Sequence, residues 1–149
     1  GVLEPVQLDQ VRQELEAVKP MPAVFDRRYV KRLDGPNVKK GKNKRDLAEQ
    51  VIEDIRAFRT QHGCDRMVMI WCGSTEIYMK ETAAHATVAS FERALEQSDE
   101  AIPSSMIYAY AALREGLPLA YSAPNLTADV PAMLELAARM KAPLAGNDM

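Results

Sequence analysis

Two polar turns hold the residue types best suited to gripping a small polar ligand. Cys72-Gly73-Ser74-Thr75 follows the apolar run Met67–Trp71, and Ser122-Ala123-Pro124-Asn125 follows Leu117–Tyr121. Hydroxyls donate and accept hydrogen bonds, an asparagine amide does both at once, and glycine lets a backbone come close to a ligand. Five apolar residues without alternation, ended by glycine and hydroxyl residues, are the pattern of a strand covered on both faces that runs into a ligand-facing turn. In open α/β sheets, ligands collect outside the carboxyl ends of such strands. An ordinary polar turn at a strand end explains the same residues without any ligand.

Other chemistry is incomplete. Ser74 and Ser104 carry a nucleophile's hydroxyl, but neither has a base beside it in sequence, so capping is the better reading of both. Glycines at 1, 35, 41, 63, 73, 116 and 146 never give the Gly-x-Gly-x-x-Gly spacing of a dinucleotide turn, a Walker-type loop or a Gly-x-Ser-x-Gly elbow. Cys64 and Cys72 are too far apart for a close-spaced metal motif, and His62 and His85 form no ligand cluster with them, so no metal is expected. His85, at the start of a helical pattern, reads as a surface or capping residue rather than a base.

Positioning these turns requires a succession of helices and strands. Leu8, Val11, Leu15 and Val18 recur at helical spacing from Gln7 to Val18, ahead of Pro20. Ala23-Val24-Phe25 reads as a short strand of the sheet. Leu47, Val51, Ile55 and Phe58 form one apolar stripe of a helix from Arg45 to His62, stopped by Gly63. Met67–Trp71 is the central strand. Ala84, Val88, Phe91 and Leu95 mark the next helix, which ends in Gln97-Ser98-Asp99-Glu100. Ile102-Pro103-Ser104-Ser105 begins another, where proline suits the first turn and serine hydroxyls can cap backbone donors. Leu119–Tyr121 is a strand, Met133, Leu134, Leu136, Ala137 and Met140 belong to a helix opened by Asp129 and Pro131, and Ala142–Gly146 is a last strand or its start. Alternation of this kind argues for a parallel sheet with helices on both faces.

A length of 149 residues suits one α/β domain, residues 1–149, and 47% apolar with 27% charged residues is ordinary for a globular protein. The longest apolar runs, around Met67–Cys72 and Met106–Leu113, fall well short of the ~20 residues of a membrane span. No secretory signal opens the chain, and its ends suggest a piece cut from something longer. The net charge of −2 hides an uneven distribution: nine of 19 basic residues (Arg27, Arg28, Lys31, Arg32, Lys39, Lys40, Lys42, Lys44, Arg45) lie in one segment with the single acid Asp34. Such a segment could attract nucleic acid or another polyanion. Only Tyr29 interleaves an aromatic with the charges, however, and a solvated loop explains the run without a ligand, so no nucleic-acid partner is expected.

Five stretches in order resemble an internal segment of the myo-inositol-1-phosphate synthase family, also called inositol-3-phosphate synthase. They are Val51–Phe58, Trp71-Cys72-Gly73-Ser74-Thr75-Glu76, Ile102-Pro103-Ser104-Ser105, Ser122–Thr127 leading to Val130-Pro131, and Ala145-Gly146-Asn147-Asp148. The chain departs from the family at Tyr121-Ser122, where Asn-Gly is frequent, and at Asn147, where Asp is. The resemblance implies a three-layer, Rossmann-like unit that is part of an NAD-dependent isomerase. Such an enzyme converts glucose 6-phosphate to an inositol monophosphate by oxidation at C5, enolisation, intramolecular aldol cyclisation and reduction, in inositol and phospholipid biosynthesis.

By the same resemblance, Cys72, Gly73, Ser74 and Thr75 approach NAD, with Ser104 a weaker candidate. Ser122, Ala123, Pro124, Asn125 and Asp148 border the nicotinamide and the sugar phosphate. The resemblance places the glycine-rich NAD loop upstream of Gly1 and the active-site lysines downstream of Met149, so the chain holds no catalytic residue and is expected to be inactive alone. It also implies a cytoplasmic homotetramer with no membrane association.

Overall fold

The computed structural model describes residues 4–146. Five α-helices and three strands follow in the order α1 (Pro5–Ala17), α2 (Lys44–His62), β1 (Met69–Trp71), α3 (Val88–Glu96), α4 (Ser104–Arg114), β2 (Leu119–Tyr121), α5 (Pro131–Met140) and β3 (Leu144–Gly146), with a 3-10 turn at Ala83–His85 before α3. The strands form one parallel sheet in the order β1-β2-β3, with Met69, Leu119 and Leu144 in register and Trp71, Tyr121 and Gly146 at the carboxyl ends. The expected parallel, Rossmann-like arrangement is present.

Helix α4 is the centre of the packing. Its sequence is apolar nearly all round, and Met106, Ile107, Ala109, Tyr110, Ala111, Ala112 and Leu113 are all buried, as a helix enclosed by neighbours requires. It packs against α2, α5 and β2, while α3 bridges α2 and α5. Met69, Leu119 and Leu144 point from the sheet into this helical core. Val68, Ile70 and Ala145 point the other way and are exposed, Ile70 by 59%. Helices among the described residues therefore cover one face, and β1, expected to be covered on both, is an edge strand with one open face.

Local boundaries follow from caps. Asn43 accepts from the Asp46 N–H to start α2, and Gly63, at φ 58°, ends it in the left-handed region where glycine has no side-chain penalty. Ala23-Val24-Phe25 does not join the sheet: Ala23 makes only an isolated parallel bridge with Val38. The Val24 N–H donates instead to the Tyr108 hydroxyl (2.8 Å), which pins the segment to α4. Helix α1 forms as its spacing implies but buries no residue, so Leu8 and Leu15 stay exposed. His85 is wholly buried rather than on the surface: its Nδ1 accepts from the Thr82 N–H (3.0 Å) and its Nε2 lies 2.8 Å from the Ala101 oxygen. Through the Thr82 N–H the ring caps the 3-10 turn.

Candidate functional site

The turns after β1 and β2 begin side by side, because the Ser122 N–H donates to the Trp71 oxygen (3.0 Å). Cys72, Gly73, Ser74 and Thr75 are all exposed there, at the carboxyl edge of the sheet. Gly73 lies directly against the Trp71 indole, and a Cβ on it would sit 2.5 Å from the ring. Trp71 is itself held by Tyr108 and Tyr121, at ring-centroid distances of 5.2 and 6.3 Å. Glycine is needed at 73 for space.

Glu76, next after this turn, is 6% exposed and organises the site. Helix α4 opens on Pro103, which has no side-chain acceptor for the free N–H groups of the first turn. Glu76 supplies one from another part of the chain. Its Oε1 accepts from the Ser105 N–H (3.0 Å), and its Oε2 accepts from the Ser105 hydroxyl (2.5 Å) and from Asn125 Nδ2 (3.2 Å). The Asn125 Oδ1 in turn accepts from the Glu76 N–H (3.1 Å), and the Ser105 hydroxyl also meets Thr127 Oγ1 at 2.8 Å. Burial pushes the Glu76 carboxyl above the ordinary range, against the lowering pull of donors from Ser105, Asn125 and Ser104. The helix N-terminus favours the same negative charge.

Two cavities flank this segment. One, of about 660 Å³, lies between residues 75–81 and Pro124, Asn125, Leu126 and Asp129. The other, of about 370 Å³, lies between Ser74–Ile77 and Tyr29–Leu33. Thr75 and Glu76 border both. A separate groove of about 490 Å³ runs along the β1 edge past Phe58, Met67 and Ile70, away from these turns, and its only charged lining residues are Asp54 and Arg66. Its lining is mostly apolar, and the Asp54 carboxylate in it repels a phosphate.

The structure thus gathers Thr75, Pro124 and Asn125 on one cavity and Ser74 and Thr75 on the other. Ser104 is buried at the head of α4, Ser122 is half-buried, Ala123 is buried, and Asp148 lies outside the described residues. Asn125 is 8% exposed, with both amide ends engaged by Glu76. Sequence reasoning did not single out Glu76, Ser105 or Thr127, whose partners lie 22 to 49 positions away along the chain. The available signal was negative: a helix opening on proline with no Ser, Thr, Asp or Asn at its cap needs an acceptor from elsewhere.

Tyr121 ends β2 beside this cluster. Its hydroxyl is buried and, although Ser105, Thr127 and Asn125 are its neighbours, it makes no hydrogen bond of acceptable geometry. Burial pushes the phenol's pKa up. Tyr121→Phe is therefore expected to change stability by less than about 1 kcal/mol in denaturant unfolding, because no bond is lost. A loss of about 2 kcal/mol or more would show that the hydroxyl is bonded.

Much of the basic segment is absorbed by the fold. Lys44 is buried, and its ammonium donates to the Tyr29 hydroxyl (2.7 Å) and to the Asp99 and Ile102 oxygens (2.6 Å each). Lys39 pairs with Asp54 (2.8 Å), Arg28 with Asp26 and Glu100 (2.7 and 3.0 Å), Arg27 with Asp34 (3.5 Å) and Arg45 with Glu49 (3.0 Å). A polyanion would have to compete with these acids, so the alternative of a nucleic-acid module is not favoured.

A parallel sheet with helices packed on it and polar turns at its carboxyl edge defines a Rossmann-like α/β unit. The profile described as Myo-inositol-1-phosphate synthase, an NAD-binding family, matches residues 1–149, and the chain belongs to that family. It is 43% identical over 148 residues to inositol-3-phosphate synthase 1 of Bacteroides thetaiotaomicron, covering 99% of this chain and 34% of the relative. It is 32% identical over 143 residues to the inositol-3-phosphate synthase of Citrus paradisi, covering 93% of this chain and 28% of the relative. The crystal structure of inositol-3-phosphate synthase from Caenorhabditis elegans superposes with a TM-score of 0.89 at 27% identity, over 99% of this chain and 29% of that one. The chain spans about a third of the length of these relatives.

The residues present fit part of an NAD site. The Ser74 and Thr75 hydroxyls are exposed at the carboxyl edge of the sheet, in a turn that Gly73 lets lie flat against the Trp71 indole. A glycine-rich pyrophosphate turn is not among the chain's motifs.

Proposed function

We propose that this chain is the middle part of an NAD-dependent isomerase that converts D-glucose 6-phosphate to myo-inositol 1-(3-)phosphate. The observation that carries this reading is the pair of adjacent turns at the carboxyl ends of β1 and β2, in a family whose profile spans the whole chain. When bound, NAD supplies the hydride acceptor for oxidation at the sugar and the donor for the closing reduction.

In this reading the Cys72–Thr75 turn brings backbone and hydroxyl groups to the cofactor, with Ser104 behind it. Ser122, Ala123, Pro124, Asn125 and Asp148 border the nicotinamide and the sugar phosphate. Since both ends of the Asn125 amide are engaged by Glu76, Asn125 shapes that border chiefly by fixing its loop, and one amide N–H remains to meet a ligand oxygen. The family resemblance assigns cation stabilisation of an enolate to lysines outside this chain, and within it Lys44 is locked on the Tyr29 hydroxyl and two carbonyls. A role in inositol and phospholipid biosynthesis, a homotetrameric assembly and a cytoplasmic location belong to the same proposal.

The test compares the 149-residue chain with the complete polypeptide. The complete protein is expected to retain NAD through gel filtration and to form inositol phosphate from glucose 6-phosphate. The isolated chain is expected to do neither, because the groups that hold the pyrophosphate and stabilise the enolate are missing together, and one such group alone is worth on the order of hundredfold in rate. Stoichiometric NAD and turnover in the isolated chain would show that the functional parts are misplaced.

A further inference from the structure

We propose that Glu76 is a positioning residue, a buried clamp that fixes the turn after β1 against the turn after β2 and so sets the shape of the ligand cleft. The proposal rests on the functional reading above. Glu76 reaches two other parts of the chain at once. Its backbone N–H and its carboxylate make a reciprocal, two-point grip on the Asn125 amide (3.1 and 3.2 Å). The same carboxylate holds the first turn of α4 through the Ser105 N–H and hydroxyl (3.0 and 2.5 Å), and that hydroxyl passes the connection to Thr127 (2.8 Å).

The exposed turn Cys72–Thr75 is thereby anchored at both ends. On one side is β1. On the other are Glu76 and the Ile77 N–H, which donates to the Tyr29 oxygen (2.8 Å). Among the described residues, the side chains of Cys72–Thr75 make no hydrogen bond of their own to hold the turn. Because Thr75 and Glu76 border both cavities, a shift of the clamp moves a wall of each. The carboxylate faces inward to donors and does not itself meet a ligand. Its chemistry is specific: every partner presents a hydrogen to it, so an isosteric amide would set N–H against N–H at one oxygen position.

The experiment uses the complete enzyme with E76Q, N125A and, as a control, Leu113→Val, a buried substitution at the far end of α4. All are assayed well below their melting temperatures. E76Q and N125A are each expected to raise the NAD dissociation constant on the order of tenfold, and to raise KM for glucose 6-phosphate more than they lower kcat, because displaced loops weaken binding first. The double variant is expected to be little worse than either single one, as partners in one clamp require. Leu113→Val is expected to lower the melting temperature while leaving NAD affinity unchanged. Equal NAD affinity in E76Q and the control overturns the proposal, as do additive effects of E76Q and N125A. Should the unsubstituted complete enzyme hold no NAD, the functional reading fails on its own. The clamp is then decided by amide hydrogen exchange: faster exchange over residues 72–77 and 122–127 in E76Q but not in the control supports it, and unchanged exchange overturns it.

Discussion

Lys44→Met is expected to cost the fold about 3 kcal/mol in denaturant unfolding, although the two side chains are nearly the same length. Lys44 is 6% exposed, and its ammonium serves as the common donor to the Tyr29 hydroxyl and to the carbonyls of Asp99 and Ile102. Those bonds tie the turn at Arg27–Tyr29 to the loop between α3 and α4. Hydrogen bonds from a charged donor are worth about 1.5–3 kcal/mol each, and a thioether leaves their acceptors facing an apolar group. Relief from desolvating the charge offsets part of that loss, which is why the net falls well below the sum. The pH response gives the sharper check. Burial pushes Lys44 down to about 8 from the ordinary 10.5. Above pH 8 the native state sheds a proton that the unfolded chain keeps, so stability linked to Lys44 rises with pH from about 8 towards 10.5. The gap between wild type and Lys44→Met is expected to widen between pH 7.5 and 9.5, and a gap that narrows would mean that the ammonium is favoured by its site.

Lys44 also shows what was legible in the sequence. Periodicity located α2 to within a residue, because Val51 and Ile55 repeat at helical spacing and Gly63 offers the left-handed stop, and parallel strands were readable from the alternation of elements. A count of positive charge cannot tell a solvated lysine from one turned inward, so Lys44 looked like part of a basic loop. Val68 and Ile70 read as covered on both faces, since an apolar run reports hydrophobicity and not what lies against it. Ala23-Val24-Phe25 has strand composition, yet the Tyr108 hydroxyl, 84 positions away, takes the Val24 N–H that a sheet would have used. The two ligand-type turns were visible because glycine and hydroxyl residues follow apolar runs directly. Glu76 was not, because a carboxylate that caps a helix 29 positions further on leaves no local spacing.

Gly73→Ala is expected to weaken NAD binding by the complete enzyme on the order of hundredfold while costing the fold only about 1–3 kcal/mol. Unlike Gly63, Gly116 and Gly146, Gly73 does not occupy the left-handed region, so the backbone itself tolerates a side chain. Space is the constraint: the added methyl would lie 2.5 and 2.8 Å from Trp71 ring carbons. A lone indole could swing aside, but this one is packed on Tyr108 and lies parallel to Tyr121, with an interplanar angle of 6°. The clash is therefore relieved mainly by the exposed turn, which moves off the carboxyl edge of β1 and carries Ser74 and Thr75 with it. Trp71 is the single tryptophan of the 149 residues, so the emission of the 149-residue chain carrying the same substitution reports the adjustment directly. A changed emission maximum together with lost NAD affinity is the expected result, whereas wild-type emission and wild-type affinity in Gly73→Ala would mean that the turn neither rests on the indole nor faces the cofactor.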